Sequence, residues 1–452
     1  MSKQPLELEV REPDLTTEDR KRAEDRGRVR LLRSRTGRGR NWGLLWLLVG
    51  PGILVMLGEN DAPSMISYAT AGAGYGIGFF LPFIILTFVM AFIVQEQTVR
   101  LGAATHRGHA ELIFTRFGRF WGTFALGDLI VGNLLTLVTE FIGIRAGLGF
   151  FGVPPALAVL GGFLVVAGVT LTRRYWTWER ITLGLAIFNL IFVPVAILAH
   201  PVTSQVIGAF LTWGPLPGGI NQQVILVLVA AIGATVTPWM LFFQQSEVVD
   251  KGLTTDDIRQ GRIDTALGAL LAAVAAIATV IAVSPLFAHH VNAANFQGAD
   301  FATSLRPLIG NVGATLFALG IFEAGLVAAM TISSSSAYAF GEVTSQAHSL
   351  NRSLRDGWQF YTVLLLAAGI AAALVLIPNA PLVFIVLIVN VIAVLAMPPA
   401  LVFLFLLVND RELMGAYANG RLANSVAIIV VVFLCLAGLI FGLTAIFPNL
   451  IP

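Results

Sequence analysis

Apolar residues gather along this chain in windows of about 20, the length needed to cross a hydrocarbon core of roughly 30 Å. The windows centre near residues 56, 86, 133, 163, 190, 233, 274, 323, 368, 393 and 435, with short polar stretches between them. This pattern predicts an all-α membrane protein with eleven transmembrane helices. Two windows read as interrupted. The first runs GPGILVMLGENDAPSMISYATAGAGYG from Gly50, and the sixth contains AAIGATVTPWMLFFQQSEVVDKG from Ala230. Each sets polar residues beside a proline at what should be bilayer depth. Pro63 and Pro238 each lack a helical donor and clash with the preceding turn, so nearby carbonyls lose their partners. In lipid such orphans cost several kcal/mol, and an interruption persists only where it lines a cavity or holds an ion. The first and sixth helices open the two halves of a five-plus-five arrangement, the pattern of inverted-repeat transporters whose discontinuous helices form a midplane site.

Composition supports burial in lipid. The chain is 56% hydrophobic and 12% charged, with a mean hydropathy of +0.82, whereas about a quarter of the residues of a soluble protein are charged. Charge is unevenly placed, since 12 of the 28 Lys and Arg residues lie between Lys3 and Arg40. Residues 1–40 therefore read as a disordered basic tail facing anionic lipid on the cytoplasmic side, in preference to a nucleic-acid-binding arm. The tail is not a secretory signal peptide, because the following apolar stretch has membrane-spanning length and no small-residue cleavage pattern. Residues 41–447 form the transmembrane domain, with repeat one at about 43–200, repeat two at about 221–407 and an extra helix at about 423–447.

Lys and Arg concentrate in cytoplasmic loops. With the tail inside, loops on its side carry Arg100, Arg107, Arg116, Arg119, Arg173, Arg174, Arg180, Lys251, Arg259, Arg262, Arg352, Arg355, Arg411 and Arg421, and the opposite loops carry only Arg306. The expected protein is a multi-pass protein of the cell membrane, N-terminus cytoplasmic and C-terminus outside. Arg145, toward the outer end of the third helix, is placed to snorkel or pair. The single cysteine, Cys435, excludes an internal disulfide and a cysteine metal cluster. All six histidines fall in or beside loops.

Asp61 stands at the first interruption, flanked by Glu59 and Asn60. A carboxylate at that depth costs at least ~2.5 kcal/mol on insertion scales, and a bound cation is its natural partner. The alternative is protonation or pairing with an arginine, and the apolar span centres offer no evident basic partner. Glu59 is open to ligation or to a gating, water-exposed position. The donors near the interruptions are Asp61, the hydroxyls of Ser64 and Thr237, Gln244 or Gln245, and backbone carbonyls near Ala234. All are oxygens, which suit hard cations such as Mg²⁺, Ca²⁺ and Mn²⁺. Met240 is the one nearby sulfur and reads as packing. Glu323 in the eighth helix is equally a cavity lining or a neutral buried acid.

At these motifs the chain resembles the Nramp family of divalent metal transporters, over nearly the whole membrane region. Gly50 and Pro51 lead to Asp61-Ala62-Pro63-Ser64, then to Ala71-Gly72-Ala73 and Tyr75-Gly76; QEQTVRLGAAT from Gln95, TEFIGI from Thr139, GRID from Gly261 and VNDRELMG from Val408 follow in order. The resemblance implies a leucine-transporter-type fold with helices 1 and 6 broken at mid-membrane. It also implies metal ligands at Asp61, Ser64, the Ala234 carbonyl, Thr237 and Asn390. In the family pattern a methionine, whose thioether favours Mn²⁺ and Fe²⁺ over Mg²⁺ and Ca²⁺, stands where this chain has Thr237, and its loss shifts the expected substrate toward harder ions; the TPWMLFFQQSEVVDKG stretch resembles the Nramp-related branch proposed to carry Mg²⁺, and the expected substrate is Mg²⁺, Mn²⁺ or both. Glu140 keeps one of two family carboxylates that relay protons, Leu137 occupies the other place, and Trp239 replaces a family histidine. Weak or absent proton coupling is the expectation. The transported ion is substrate and no cofactor is called for.

Two other classes compete. An organic-solute carrier, such as an amino-acid carrier on the same fold, would meet repulsion between Asp61 and a substrate carboxylate. A non-transporting scaffold or sensor would tolerate Asp61→Ala. An enzyme is disfavoured by the lack of HExxH, GxSxG and P-loop motifs, and the run Ser333 to Ser336 suits helix packing. Oligomeric state is not legible from the sequence, and a monomer is compatible with it.

Overall fold

The computed structural model describes residues 50–446, except 292, 294, 295, 297, 298, 347 and 379. The basic tail lies outside the described residues. Within them the secondary structure is helical, with no strand. In chain order the helices are α1 (Pro51–Gly58), α2 (Ala62–Tyr75), α3 (Phe80–Thr105), α4 (His109–Phe117), α5 (Arg119–Gly149), α6 (Pro155–Thr170), α7 (Tyr175–Phe188), α8 (Phe192–Leu198) and α9 (Thr203–Thr212). They continue with α10 (Gln222–Gly233), α11 (Pro238–Asp250), α12 (Ile258–Ala288), α13 (Asp300–Thr344), α14 (Trp358–Val375), α15 (Leu382–Asn409), α16 (Arg411–Met414) and α17 (Arg421–Ile446). Among the described residues nine helical segments are long and apolar enough to cross a membrane, and Pro155–Thr170 is a shorter apolar helix.

Local chemistry sets the helix ends. Pro51, Pro63, Pro155 and Pro238 all sit in first turns, where the missing N–H has no intrahelical role and the fixed φ suits the helix. Pro63 and Pro238 therefore start α2 and α11 rather than distorting a helix that runs through them. Asn221 caps α10 by accepting from the Val224 amide at 2.9 Å. After α2 the chain reverses at Gly76 with φ 70°, where a Cβ would also press on the Phe287 ring at 2.9 Å; glycine alone meets both demands.

Every residue of α1 is buried, as are residues 62–73 of α2. Around this pair α12 packs on α1, α2 and α3, α13 packs on α5, and α10 packs on α15. The outermost helices invert the soluble pattern. Leu157, Leu160 and Leu164 of α6 and Leu422, Ile429 and Leu439 of α17 are exposed, while Glu59, Asp61 and Glu140 lie inside. An apolar rim, with the few charged groups held inside a largely apolar core, is what a lipid solvent selects, because the bilayer imposes no penalty on leucine and a large one on charge. Arg145 donates to the Val375 carbonyl at 2.9 Å, and no ion pair includes it among the described residues.

Candidate cation site

The site assembles where helical geometry lapses twice, at residues 59–61 between α1 and α2, and at residues 234–237 between α10 and α11. Asp61 is the N-cap of α2, and its Oδ1 accepts from the Ser64 amide at 2.8 Å, satisfying one of the four unpaired amides at a helix start. That capping bond fixes the carboxyl at the positive end of the α2 dipole. Behind it, Glu140 from the middle of α5 accepts from the Ala62 amide at 3.2 Å through Oε2, and the Glu140 and Asp61 carboxyls are neighbours. Gly143, one turn further along α5, permits this approach, since a Cβ there would collide with the Ala62 side chain.

Glu59 reaches across to the second interval. Its Oε2 accepts from the Thr237 hydroxyl at 2.7 Å, and its Oε1 is buried without a hydrogen-bond partner. Side chains take up two of the carbonyls at the lapses, those of Asn60 and Ala234. Asn189 donates to the Asn60 carbonyl at 2.9 Å, and Asn60 donates to the Ala272 carbonyl at 2.8 Å. Tyr68 donates its hydroxyl to the Ala234 carbonyl at 2.8 Å and lies 2.8 Å from the Thr235 hydroxyl. Asn390 of α15 donates to Ser67 at 2.9 Å.

All ten residues expected at or near the site are buried: Asp61, Ser64, Ala234, Thr237, Asn390, Glu59, Asn60, Gln244, Gln245 and Glu140. The two intervals bring together Glu59, Asp61, Glu140 and Thr237. Gln244 and Gln245 are turned elsewhere: Gln244 donates to Thr265 at 3.1 Å, and Gln245 donates to the Arg107 carbonyl at 2.8 Å while meeting His109 at 2.9 Å. Glu323 is buried with both carboxyl oxygens unpartnered. Sequence reasoning did not single out Tyr68, Thr235 or Asn189. Tyr68 had a signal, because Asp61, Ser64 and Tyr68 stand at i, i+3 and i+7 and share a helix face; Asn189 had none.

Among the described residues, no ion pair includes Glu59, Asp61 or Glu140, and no three His, Cys, Asp or Glu side chains form a metal-holding group by themselves. A cation seated here would draw on carboxyl, hydroxyl and carbonyl oxygens in mixture, an arrangement suited to a hard, partly hydrated ion. Two cavities lie toward the helix ends on either side. One of about 600 Å³ is lined by Tyr75, His200, Gln205 and Phe287 near the end of α2, and one of about 250 Å³ by Ser246, Asp250, Tyr338 and Glu342 near the end of α11.

Known proteins resemble the chain along most of its length. The family described as "Natural resistance-associated macrophage protein-like" matches residues 52–444. A protein of Pectobacterium carotovorum named divalent metal cation transporter MntH is 26% identical over 397 residues, covering 85% of this chain and 91% of that protein. A namesake from Aeromonas hydrophila is 26% identical over 414 residues, covering 88% and 94%. Among solved structures, a manganese transporter of Eremococcus coleocola superposes with a TM-score of 0.71 at 21% identity, covering 90% of this chain and 88% of that one. MhsT, solved with L-phenylalanine, superposes with a TM-score of 0.52 at 16% identity, covering 87% and 98%. These two likenesses establish a shared fold.

Proposed function

This chain belongs to the natural resistance-associated macrophage protein (Nramp) family, and from that premise we propose that it carries divalent metal cations across a cell membrane by alternating access. The observation that carries the proposal is the burial of the Glu59, Asp61 and Glu140 carboxyls at and behind two non-helical intervals, with no basic side chain paired to them among the described residues. Buried carboxyls without counter-charge are costly in a low-dielectric interior, and a transported cation is the partner that repays the cost. Relatives named as divalent metal cation transporters support the same reading across nearly their full length.

Asp61 is the proposed anchoring ligand, with the Ser64 and Thr237 hydroxyls, the Ala234 carbonyl and Asn390 completing an oxygen shell. The Ala234 carbonyl is engaged by Tyr68 and keeps a second lone pair for the ion. Mg²⁺ or Mn²⁺ is the proposed substrate, because an all-oxygen shell gives no advantage to softer metals. α1 with α2, and α10 with α11, form the interrupted first and sixth of eleven crossings, in repeats at about 43–200 and 221–407 of the chain. With the N-terminus inside, the larger cavity opens outward, the smaller inward, and the C-terminus lies outside. Proton coupling is weak or absent, since Leu137 stands in place of a second carboxyl beside Glu140 and a relay needs contiguous titratable groups.

Titration calorimetry of the purified protein with Mg²⁺, Mn²⁺ and Ca²⁺ tests this reading. Binding is expected in the wild type and lost in Asp61→Ala. Retained binding in that variant, or none in the wild type, would sink it. In proteoliposomes, metal entry is expected without lumenal acidification, and a clear acid signal would overturn the uncoupled mode. An organic-solute carrier of the same fold predicts displacement of heat by amino acids rather than by metals.

A further inference from the structure

We propose that Glu59 and Thr237 act as one unit that sets the preference of the site for hard divalent ions, with Glu59 the selectivity-determining carboxylate and Thr237 the hydroxyl ligand that it polarises. This rests on the metal-transport reading above.

Three observations lead there. First, the pair spans the two intervals: Glu59 directly follows α1, Thr237 directly precedes Pro238 of α11, and the Thr237 hydroxyl donates to Glu59 Oε2 at 2.7 Å. A hydroxyl whose proton is committed to a carboxylate turns its lone pairs the other way and carries more negative charge on oxygen, which makes it a better ligand for a cation of high charge density. Thr237 makes no capping bond to its own helix, although an N-cap threonine ordinarily does; its hydroxyl is spent on Glu59 instead.

Second, Glu59 Oε1 has no hydrogen-bond partner, and the whole residue is 0% exposed. The Trp239 indole N–H stands close to the same carboxyl and is its other available donor, so Thr237 and Trp239 both face Glu59 from the second interval. An oxygen left bare in the interior is costly unless something fills its place, and the Asp61 carboxyl beside it excludes another anion. A metal ion, or a water in its inner hydration shell, can take up the lone pairs that the Thr237 and Trp239 donors leave on this carboxylate.

Third, charge must balance. A divalent ion taken out of water needs about two negative charges near it. Asp61 provides one from the first interval, while Glu140 stands behind it on α5, with Oε2 accepting from the Ala62 amide and Oε1 unpartnered. Glu59 provides the second from the side where Thr237 stands. Carboxylate oxygens reward small hard ions more than soft ones, so this second carboxylate takes selectivity away from softer metals.

The experiment is calorimetric titration of the detergent-purified full chain with Mg²⁺, Mn²⁺ and Cd²⁺, on the wild type, Glu59→Gln, Thr237→Val and the double variant. Glutamine keeps an acceptor for the Thr237 hydroxyl and removes only the charge, so the fold is retained. Glu59→Gln is expected to weaken Mg²⁺ binding by about tenfold or more and Cd²⁺ binding much less, shifting the Mg²⁺ to Cd²⁺ affinity ratio. Thr237→Val should shift the ratio in the same direction, Thr237→Ser should restore it, and the double variant should add little beyond Glu59→Gln, as coupled residues do. Wild-type selectivity in Glu59→Gln, or fully additive losses in the double variant, would overturn the proposal while leaving Asp61-dependent metal binding intact. Loss of metal binding in the wild type itself would instead overturn the transport reading on which it rests.

Discussion

The Asp264 carboxylate on α12 accepts the Gly52 amide at 2.6 Å through Oδ2 and the Gly50 amide at 3.1 Å through Oδ1. It therefore caps α1 from 212 residues away, at an end with no side-chain cap of its own. A carboxylate at a helix N-terminus satisfies unpaired amides and opposes the helix dipole. Close by, Lys251 pairs with Glu179 at 2.7 Å, with both side chains buried, and a Cβ at Gly50 would collide with Glu179. The first prediction is that Asp264→Ala leaves two buried amides unpaired and lowers stability by about 2–4 kcal/mol. Asp264→Asn, which keeps an acceptor, should cost less. Thermal unfolding in detergent checks the order; equal melting of wild type and Asp264→Ala would show that the cap contributes nothing.

Gly233 ends α10 against the backbone of α15, where a Cβ would collide with the Asn390 carbonyl oxygen. The neighbour is backbone and has no rotamer through which to yield. Gly233→Ala should therefore push α10 from α15, cost roughly 1–3 kcal/mol, and weaken metal binding by displacing residues 234–237. Gly74→Ala is the control, because its Cβ meets nothing within 4 Å. Comparable melting and binding for the two variants would refute the packing argument.

His109 opens α4 with its ring 2.9 Å from Gln245 Oε1 and edge-on to Phe242. Burial pushes its pKa down to about 4 from the ordinary 6.5, against the opposing hydrogen bond to Gln245. Between those two values the unfolded chain binds a proton that the folded one refuses, so stability is full above pH 6.5 and falls as pH drops toward 4. The loss is on the order of 3 kcal/mol across the window. Melting curves from pH 7.5 to 4 should show a shallower decline for His109→Asn than for the wild type, and parallel declines would refute the assignment.

The crossing segments were legible because lipid imposes one rule, apolar side chains for about 20 residues, and most of the apolar windows coincide with helices such as Phe80–Thr105 and Leu382–Asn409. The interruptions near Pro63 and Pro238 were legible from those prolines, and Asp61 from its charge, whereas the prolines' place in the first turns of α2 and α11 was not. The GRID motif was visible as a resemblance alone, and its aspartate, Asp264, acquires a physical role only when α1 is laid against it.

The sequence by itself thus determined where the chain is apolar, where prolines interrupt the apolar windows, and which carboxyls stand inside those windows, since each follows from neighbours a few residues apart. Only the tertiary structure decided the partners: Asn189 for the Asn60 carbonyl, Tyr68 for Ala234, Thr237 for Glu59, His109 for Gln245. Those pairs are separated by 129, 166, 178 and 136 residues. A periodic pattern tells which face of a helix is buried, but which group it meets there depends on how distant helices cross, and that is set by the packing of the whole bundle.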